Sequence, residues 1–324
     1  MAKAIRIHRA GGPEEMRYED IETAAPAEGE VQLRHTAIGL NYIDVYDRTG
    51  LYPMSLPGSL GREAAGVVTA VGRKVKDFRA GDRVAYVHTV PGSYCELRNL
   101  PASRLVKLPR GVSDEQAAAL MLKGLTAEYL LRRTYRVQSG DWILVHAAVG
   151  GVGLILCQWA KALGAKVIGV VGSEAKAALA KKSGCKHVLV MGRDKIVESV
   201  RALTKGRGVK VVYDSVGKDT FMDSLDCLAP LGMMVTYGNA SGPPPAISPL
   251  ELSKRGSLFL TRPSLFAYIA QRADLDAAAK ALFAALSSKK FKLHIGQRYA
   301  LADAAQAHRD LEARKTTGST VLIP

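Results

Sequence analysis

The stretch from Asp141 to Leu163, DWILVHAAVGGVGLILCQWAKAL, constrains the fold more than any other part of the chain. It opens with a short apolar run, Trp142 to Val145, that has the length and β-branched character of a buried parallel strand. The run turns through Ala147-Ala148-Val149-Gly150-Gly151-Val152-Gly153 and continues as an apolar helix that stops at Gly164. Strand, glycine turn and helix make a dinucleotide-binding arrangement: backbone N–H groups at the helix start face a pyrophosphate, and positions without side chains let it approach. In the G-x-G-x-x-G frame the three positions are Ala148, Gly150 and Gly153, so alanine replaces the first glycine. A second strand follows on schedule at Lys166 to Val171, KVIGVV, and completes a βαβ unit. The expected phosphate contacts are Gly150, Gly151 and Val152.

The rest of the chain arranges itself around this unit. Residues 1–123 read as β-rich, with short alternating runs at Ala4 to His8, Val31 to Ala37, Ala65 to Val71 and Arg83 to Val87 separated by glycine and proline. A short helix is expected from Asn41 to Tyr46, and an amphipathic one from Asp114 to Lys123, capped by Ser113 and broken by Gly124. A further helix is expected from Ala127 to Arg133. Residues 124–261 alternate strand and helix, with helices at Glu174 to Lys182, Lys195 to Thr204 and Phe221 to Leu228. Strands fall at His187 to Val190, Val209 to Tyr213, Gly232 to Gly238 and, at the sheet edge, Ser257 to Thr261. Strict alternation means a doubly wound parallel sheet with helices on both faces. Residues 262–324 have helices at Leu275 to Ser287 and Ala302 to Lys315 and strands at Gly296 to Tyr299 and Ser319 to Ile323, but no core of their own. They are expected to complete the first domain, with the nucleotide domain inserted between its two parts.

At 324 residues two domains are the expectation, and the hydrophobic share of 48% is that of a globular chain. The first residues lack an apolar signal core and no apolar run reaches membrane-spanning length, so a soluble, cytoplasmic protein is expected. Cys95, Cys157, Cys185 and Cys227 are scattered without metal or disulfide spacing and read as reduced structural thiols. The net charge of +15 favours an anionic ligand such as a phosphorylated cofactor and would permit loose nucleic-acid binding. The basic pairs Arg132-Arg133, Lys181-Lys182 and Lys289-Lys290 are dispersed, as on a solvated basic surface.

The order of motifs carries a resemblance. PGSLGREAAGVVTAVGRKVKDFRAGDRV (57–84), LKGLTA, HAAVGGVG and YDSVG resemble the medium-chain dehydrogenase/reductase superfamily. More narrowly, NYIDVYDRTGLYP, LCQWAKALGAK, SLDCL, TRPSL and LEARKTTGSTVLIP are similar to the zinc-independent, zeta-crystallin-like NADPH:quinone oxidoreductases. That resemblance implies an α/β fold in which a Rossmann domain is inserted into a GroES-like β-barrel catalytic domain. It also implies a homodimer whose sheets join through the SLFLT edge.

Zinc-dependent members of the superfamily need a cysteine in a G-x-C-x-x-D run and a histidine in G-H-E. Here those positions hold Asn41 and Arg62, and neither is a competent zinc ligand. Alcohol oxidation uses the metal to hold an alkoxide, and without it that reaction loses its Lewis acid. A quinone is electron-poor, and the hydroquinone anion formed by hydride addition is stable enough for solvent to protonate. The protein then mainly stacks nicotinamide against quinone and excludes water. No acid–base dyad is evident, and His146 reads as a packing or hydrogen-bonding residue at a strand end.

Cofactor preference rests on Gly172-Ser173-Glu174-Ala175-Lys176, after the second strand. A carboxylate at the strand end would hold the ribose 2′-OH of NAD, whereas small residues with cations suit NADP. Glu174 one position earlier would argue for NAD. The resemblance puts Ser173 and Lys176 at the 2′-phosphate of NADPH, with Gly172 among the cofactor contacts, turns Glu174 to solvent, and puts Met191 where relatives carry a tyrosine. It further implies Asn41, Tyr46 and Tyr52 around the nicotinamide and the substrate, and Thr126 near the nicotinamide. Ser215, Gly238, Asn239 and Ser241 follow strand ends, where a doubly wound sheet holds its ligands. Arg262, Ser264 and Arg314 are further cofactor contacts implied by TRPSL and LEARK.

The leading expectation is therefore a zinc-free NADPH-dependent quinone reductase. A reductase of α,β-unsaturated carbonyls in the same fold is the alternative, with Tyr52 as the one nameable carbonyl-activating donor. RNA binding, as thought for some zeta-crystallin relatives, is the reading from another class, and no RNA-binding motif or aromatic–basic interleaving supports it.

Overall fold

The computed structural model describes all 324 residues. The chain divides into two compact units, one of residues 1–125, 269–283 and 293–324, the other of residues 126–268 and 284–292. The expected divisions stood at 123 and 261; the compact units divide at 125 and 268, and 284–292 count with the second.

In the first unit the long strand Glu30–Leu40 is the organiser. It pairs antiparallel with Glu63–Val71, Leu97–Pro101 and Ser319–Ile323, so the last strand of the chain is zipped onto the middle of the first sheet. Arg83–Val87 and Leu105–Lys107 extend the sheet on one side and Ile295–Ala300 on the other, giving seven strands. A three-stranded sheet of Arg17–Ile21, Ala2–Ile7 and Gly58–Ser59 accompanies it. Leu301, Ala304, Ala307 and Leu322 are buried in one apolar cluster with Leu33 and Tyr86. Each of the two leucines contributes about 1.5–3 kcal/mol on burial and each alanine methyl about 0.8 kcal/mol, which is why the C-terminal segment belongs here.

The second unit is a six-stranded sheet, wholly parallel, in the order His187–Val190, Lys166–Val171, Trp142–Val145, Val209–Asp214, Leu228–Thr236, Phe259–Thr261. This is the doubly wound order with a topological switch beside Trp142–Val145. Because every strand runs the same way, their carboxyl ends line one edge, and the residues that follow them form the candidate site.

Several expected elements differ in detail. Gly124 does not break a helix: it lies inside Met121–Tyr129, where a Cβ would meet Leu282 Cδ1 at 2.6 Å. Its role is close packing against the helix Arg272–Ser287. The expected Asp114–Lys123 helix is instead Asp114–Ala118, with Ser113 Oγ accepting from the Gln116 N–H at 3.2 Å, followed by a new start at Met121. The helix expected from Glu174 begins as a tight turn, Glu174–Lys176, before Ala177–Lys182. Phe221–Asp226 is shorter than expected because Leu228 already pairs in the sheet, which leaves Cys227 just past the helix end. The expected Ala302–Lys315 helix spans Ala304–Glu312, and the edge strand holds only Phe259–Thr261. All four cysteines are free and buried. No helix is long and apolar enough to cross a membrane.

Candidate functional site

The glycine turn of the second unit is built by backbone crowding. Ala147 is left-handed (φ +49°), and its carbonyl comes back over the helix start. A Cβ on Gly153 would stand 2.2 Å from that oxygen, so only glycine fits. Gly150 is extended and precedes the helix Gly151–Ala162, and the first intrahelical bond runs from the Leu154 N–H to the Gly150 carbonyl at 2.9 Å. The N–H groups of Gly151, Val152 and Gly153 therefore point out of the helix end, where a phosphate is favoured by both hydrogen bonding and the helix dipole. Alanine at 148 has a structural counterpart: on the neighbouring strand, a Cβ at Gly169 would meet the Ala148 methyl at 2.9 Å and Cys185 Sγ at 2.4 Å.

The turn after Lys166–Val171 holds the next group of expected contacts. Gly172 has open space where a Cβ would stand, and Ser173 precedes the turn Glu174–Lys176, closed by the Lys176 N–H on the Ser173 carbonyl at 3.1 Å. Gly172 and Ser173 are exposed and Lys176 is half-buried. Glu174 is exposed, as expected, but it forms an ion pair with Arg193, which also holds Asp194 at 2.8 Å. Met191 bonds through its N–H to the Val171 carbonyl and packs on the apolar core of the unit. Arg193 was not singled out from sequence, because its neighbour Glu174 lies nineteen residues away along the chain.

A third group is organised by Asp214, a fully buried carboxylate at the end of its strand that sequence reading did not single out. It accepts from the N–H groups of Val216 (2.7 Å) and Gly217 (3.1 Å) and from the hydroxyls of Thr220 (2.7 Å) and Ser224 (3.0 Å). Ser224 Oγ also lies 3.0 Å from His146 Nε2, and burial pushes that imidazole towards its neutral form. His146 thus takes the hydrogen-bonding role expected of it. Asp214 shapes the loop that carries Ser215, and this loop is stitched to the next one. The Ala240 N–H reaches the Ser215 carbonyl, and both the Ser241 N–H and Ser241 Oγ reach the Val216 carbonyl. Gly238 is forced, since a Cβ there would stand 2.5 Å from the Ser215 oxygen. Arg262 Nη1 donates to the Gly238 carbonyl at 3.3 Å. The structure therefore gathers Ser215, Gly238, Asn239, Ser241 and Arg262. Ser264 is exposed two residues further on, and Thr126 is buried in the helix Met121–Tyr129.

In the first unit Asn41 precedes the helix Tyr42–Thr49, with its N–H on Asp44 Oδ2 at 2.9 Å. Tyr46 from this helix meets Tyr52 edge-on at 5.3 Å between ring centroids, while Asn41 stands at the start of the same helix. Arg314 is exposed and left-handed (φ +58°), past the helix Ala304–Glu312. The two positions that would carry zinc ligands are committed elsewhere. Asn41 Nδ2 donates to Glu63 Oε1 at 2.8 Å, and Arg62 forms a two-pronged ion pair with Asp47. Glu63, fully buried, also accepts from Lys123 Nζ at 2.9 Å and from the Leu122 N–H. No group of three or more His, Cys, Asp or Glu side chains is placed to hold a metal ion.

Behind this lies a second buried network. Tyr94 donates to Asp44 at 2.9 Å and contacts His308 Nε2 at 3.1 Å, while Arg48 donates to His308 Nδ1 and clasps Glu312. Burial, together with the neighbouring Asp47, pushes the Asp44 carboxyl up to about 7. Burial pushes His308 down to about 3, helped by Arg48.

Comparison with known proteins places these features in a family. The model of the alcohol dehydrogenase GroES-like domain matches residues 27–139, and that of the zinc-binding dehydrogenases matches 151–284. Over the full length of both chains, the sequence is 51% identical to a quinone oxidoreductase of Pseudomonas aeruginosa. It is 44% identical to a 2-haloacrylate reductase of a Burkholderia species, over 100% of this chain and 99% of that one. The solved structure of Escherichia coli quinone oxidoreductase complexed with NADPH superposes with a TM-score of 0.98, at 48% identity and full coverage of both chains. The glycine turn, the doubly wound sheet and the displaced metal-ligand positions thus occur in a chain that belongs to the quinone oxidoreductases of the medium-chain dehydrogenase/reductase superfamily.

Proposed function

We infer that this chain is a zinc-independent, NADPH-dependent quinone reductase. The observation that carries this reading is its likeness, near one-half identical along the whole chain, to relatives of that name, one of them solved with NADPH. The residues suit the cofactor: a helix start with no side-chain cap after a crowded glycine turn, then a small-residue turn with Lys176 and a nearby Arg193. NADPH supplies two electrons and a proton as hydride when bound. The chain's part is to orient and to exclude water. In our reading Gly150, Gly151 and Val152 hold the pyrophosphate, and Ser173 and Lys176 hold the 2′-phosphate, with Gly172 among the cofactor contacts. Thr126, Ser215, Gly238, Asn239, Ser241, Arg262, Ser264 and Arg314 contribute further cofactor contacts. Asn41, Tyr46 and Tyr52 border the nicotinamide and the quinone. Arg62 and Asn41 give the substrate no metal to bind, so a substrate that is already electrophilic is required.

We further propose a homodimer joined at the edge strand Phe259–Thr261, where Phe259 and Leu260 are exposed apolar side chains beside unpaired backbone. A cytoplasmic location suits the four unpaired cysteines. A second substrate class, activated alkenes, is favoured by the haloacrylate reductase relative.

The deciding experiment is an NADPH and NADH oxidation assay with 1,4-benzoquinone, a polycyclic quinone, a 2-alkenal and 2-chloroacrylate, run with EDTA. Quinone-dependent NADPH oxidation indifferent to the chelator is expected, with NADH far slower. Turnover of the alkene substrates alone would move the function to the second class.

A further inference from the structure

We propose that the ammonium of Lys123 is a catalytic group, donating a hydrogen bond to the quinone oxygen on which negative charge develops during reduction. The proposal rests on the quinone reductase reading. Lys123 is a buried cation, its side chain 7% exposed, and its charge is balanced by the fully buried Glu63. Glu63 is held from three directions, by the Leu122 N–H on one oxygen and by Asn41 Nδ2 and Lys123 Nζ on the other. Asn41 and Lys123 thus converge within 3 Å of one oxygen atom, Glu63 Oε1. That convergence puts the ammonium beside the residue at the position of a zinc ligand in the metal-dependent members of the superfamily.

A metal at such a place holds an oxyanion. Here the cation beside it is an ammonium with three N–H donors, and Glu63 takes one of them. Burying an ion pair costs several kcal/mol of desolvation per ion, so the pair has little worth as a stabilising device alone. It does supply a fixed charge in a water-poor site, where a donor aimed at a developing oxyanion contributes most. The balance is simple. The quinone takes up hydride, the cofactor is oxidised by two electrons, and the resulting hydroquinone anion takes its second proton from solvent on release. Lys123 keeps its proton throughout, and Glu63 is a positioning residue that holds the ammonium in place.

The test replaces both partners, Lys123→Gln with Glu63→Gln, so that no orphan charge is buried. The folded double variant should keep its KM for NADPH and lose about 100-fold in kcat with benzoquinone. If Lys123 only neutralises Glu63, the double variant turns over like the wild type, and the proposal fails. A second arm needs no turnover and no variant. 4-Nitrophenol, titrated by its phenolate absorbance with the NADP+-loaded wild-type protein, should ionise about one pH unit lower than in buffer. A titration that the protein leaves unmoved overturns the proposal, even where the double variant does not fold. Failure of the underlying reading looks different: wild-type protein that reduces haloacrylate but no quinone, whatever the nitrophenol titration gives.

Discussion

Arg62 grips Asp47 with two parallel hydrogen bonds, Nε to Oδ2 at 2.8 Å and Nη2 to Oδ1 at 2.7 Å, and the Asp47 carboxylate is sealed from solvent. Arg62 also donates to the Thr89 carbonyl. The residue that removes a metal ligand has therefore become a structural partner. Arg62→His should not recruit zinc. It should destabilise the first unit by about 3–5 kcal/mol, because Asp47 is left buried without its cation. Thermal denaturation with metal analysis of the purified variant checks both halves.

Acid stability is set in part by three buried groups. His35 is pushed down to about 4, chiefly by burial, and His308 to about 3. Each has a folded pKa below its unfolded value near 6.5, so each contributes stability that is lost as pH falls below that value. Asp44, pushed up to about 7, works with the opposite sign: its contribution is full below about 4 and is lost as pH rises towards 7. Between pH 4 and 6.5 these three give a net rise in stability with pH equivalent to one titrating group. Asp44→Asn should double that slope whatever it does to absolute stability, and urea midpoints at successive pH values would read it.

Two glycines of the cofactor region should separate cleanly. Gly153→Ala drives a methyl into the Ala147 carbonyl, so the turn must open, with losses in both thermal stability and NADPH affinity. Gly172→Ala meets nothing within 4 Å and should stay within about 0.5 kcal/mol of the wild type. Its effect should be confined to the KM for NADPH. Equal destabilisation by the two would contradict this account of the turn.

Lys176→Ala should raise the KM for NADPH about tenfold or more, the worth of a charge-assisted hydrogen bond, while the KM for NADH stays in place. Arg193→Ala should act in the same direction, because it also releases Glu174 beside the expected phosphate. A steady-state comparison of the two cofactors decides it.

Phe259→Asp should convert the proposed dimer to a monomer at micromolar concentration, since it places a charge on the exposed apolar edge strand. Sedimentation velocity on both proteins gives the answer. A wild-type monomer would end the dimer reading outright.

What was legible in the sequence follows the range over which each signal acts. The strand–turn–helix around Gly150 and the alternation from Lys166 to Thr236 are local patterns, and the parallel sheet follows from them. Gly124 misled because a glycine inside a helix looks like a stop when the neighbour that requires it, Leu282, is more than 150 residues away. Glu63 and Lys123 were invisible as a pair for the same reason, as were Arg193 and Glu174. Asp214 left a fainter local trace: a carboxylate at a strand end with Thr220 and Ser224 following at helical spacing. His308 and Glu312 reach the helix Tyr42–Thr49 only through the folded C-terminal segment, so the buried network behind Asn41 had no signature in any window.

The Ala148 methyl, Cys185 Sγ and the bare backbone of Gly169 share one small volume. Occupancy of that volume gives substitution a direction. A descendant of this chain cannot gain a side chain at 169 while 148 and 185 stand as they do, whereas a change to glycine at 148 is open at any time. The three sites should change in a preferred order, with 169 always last.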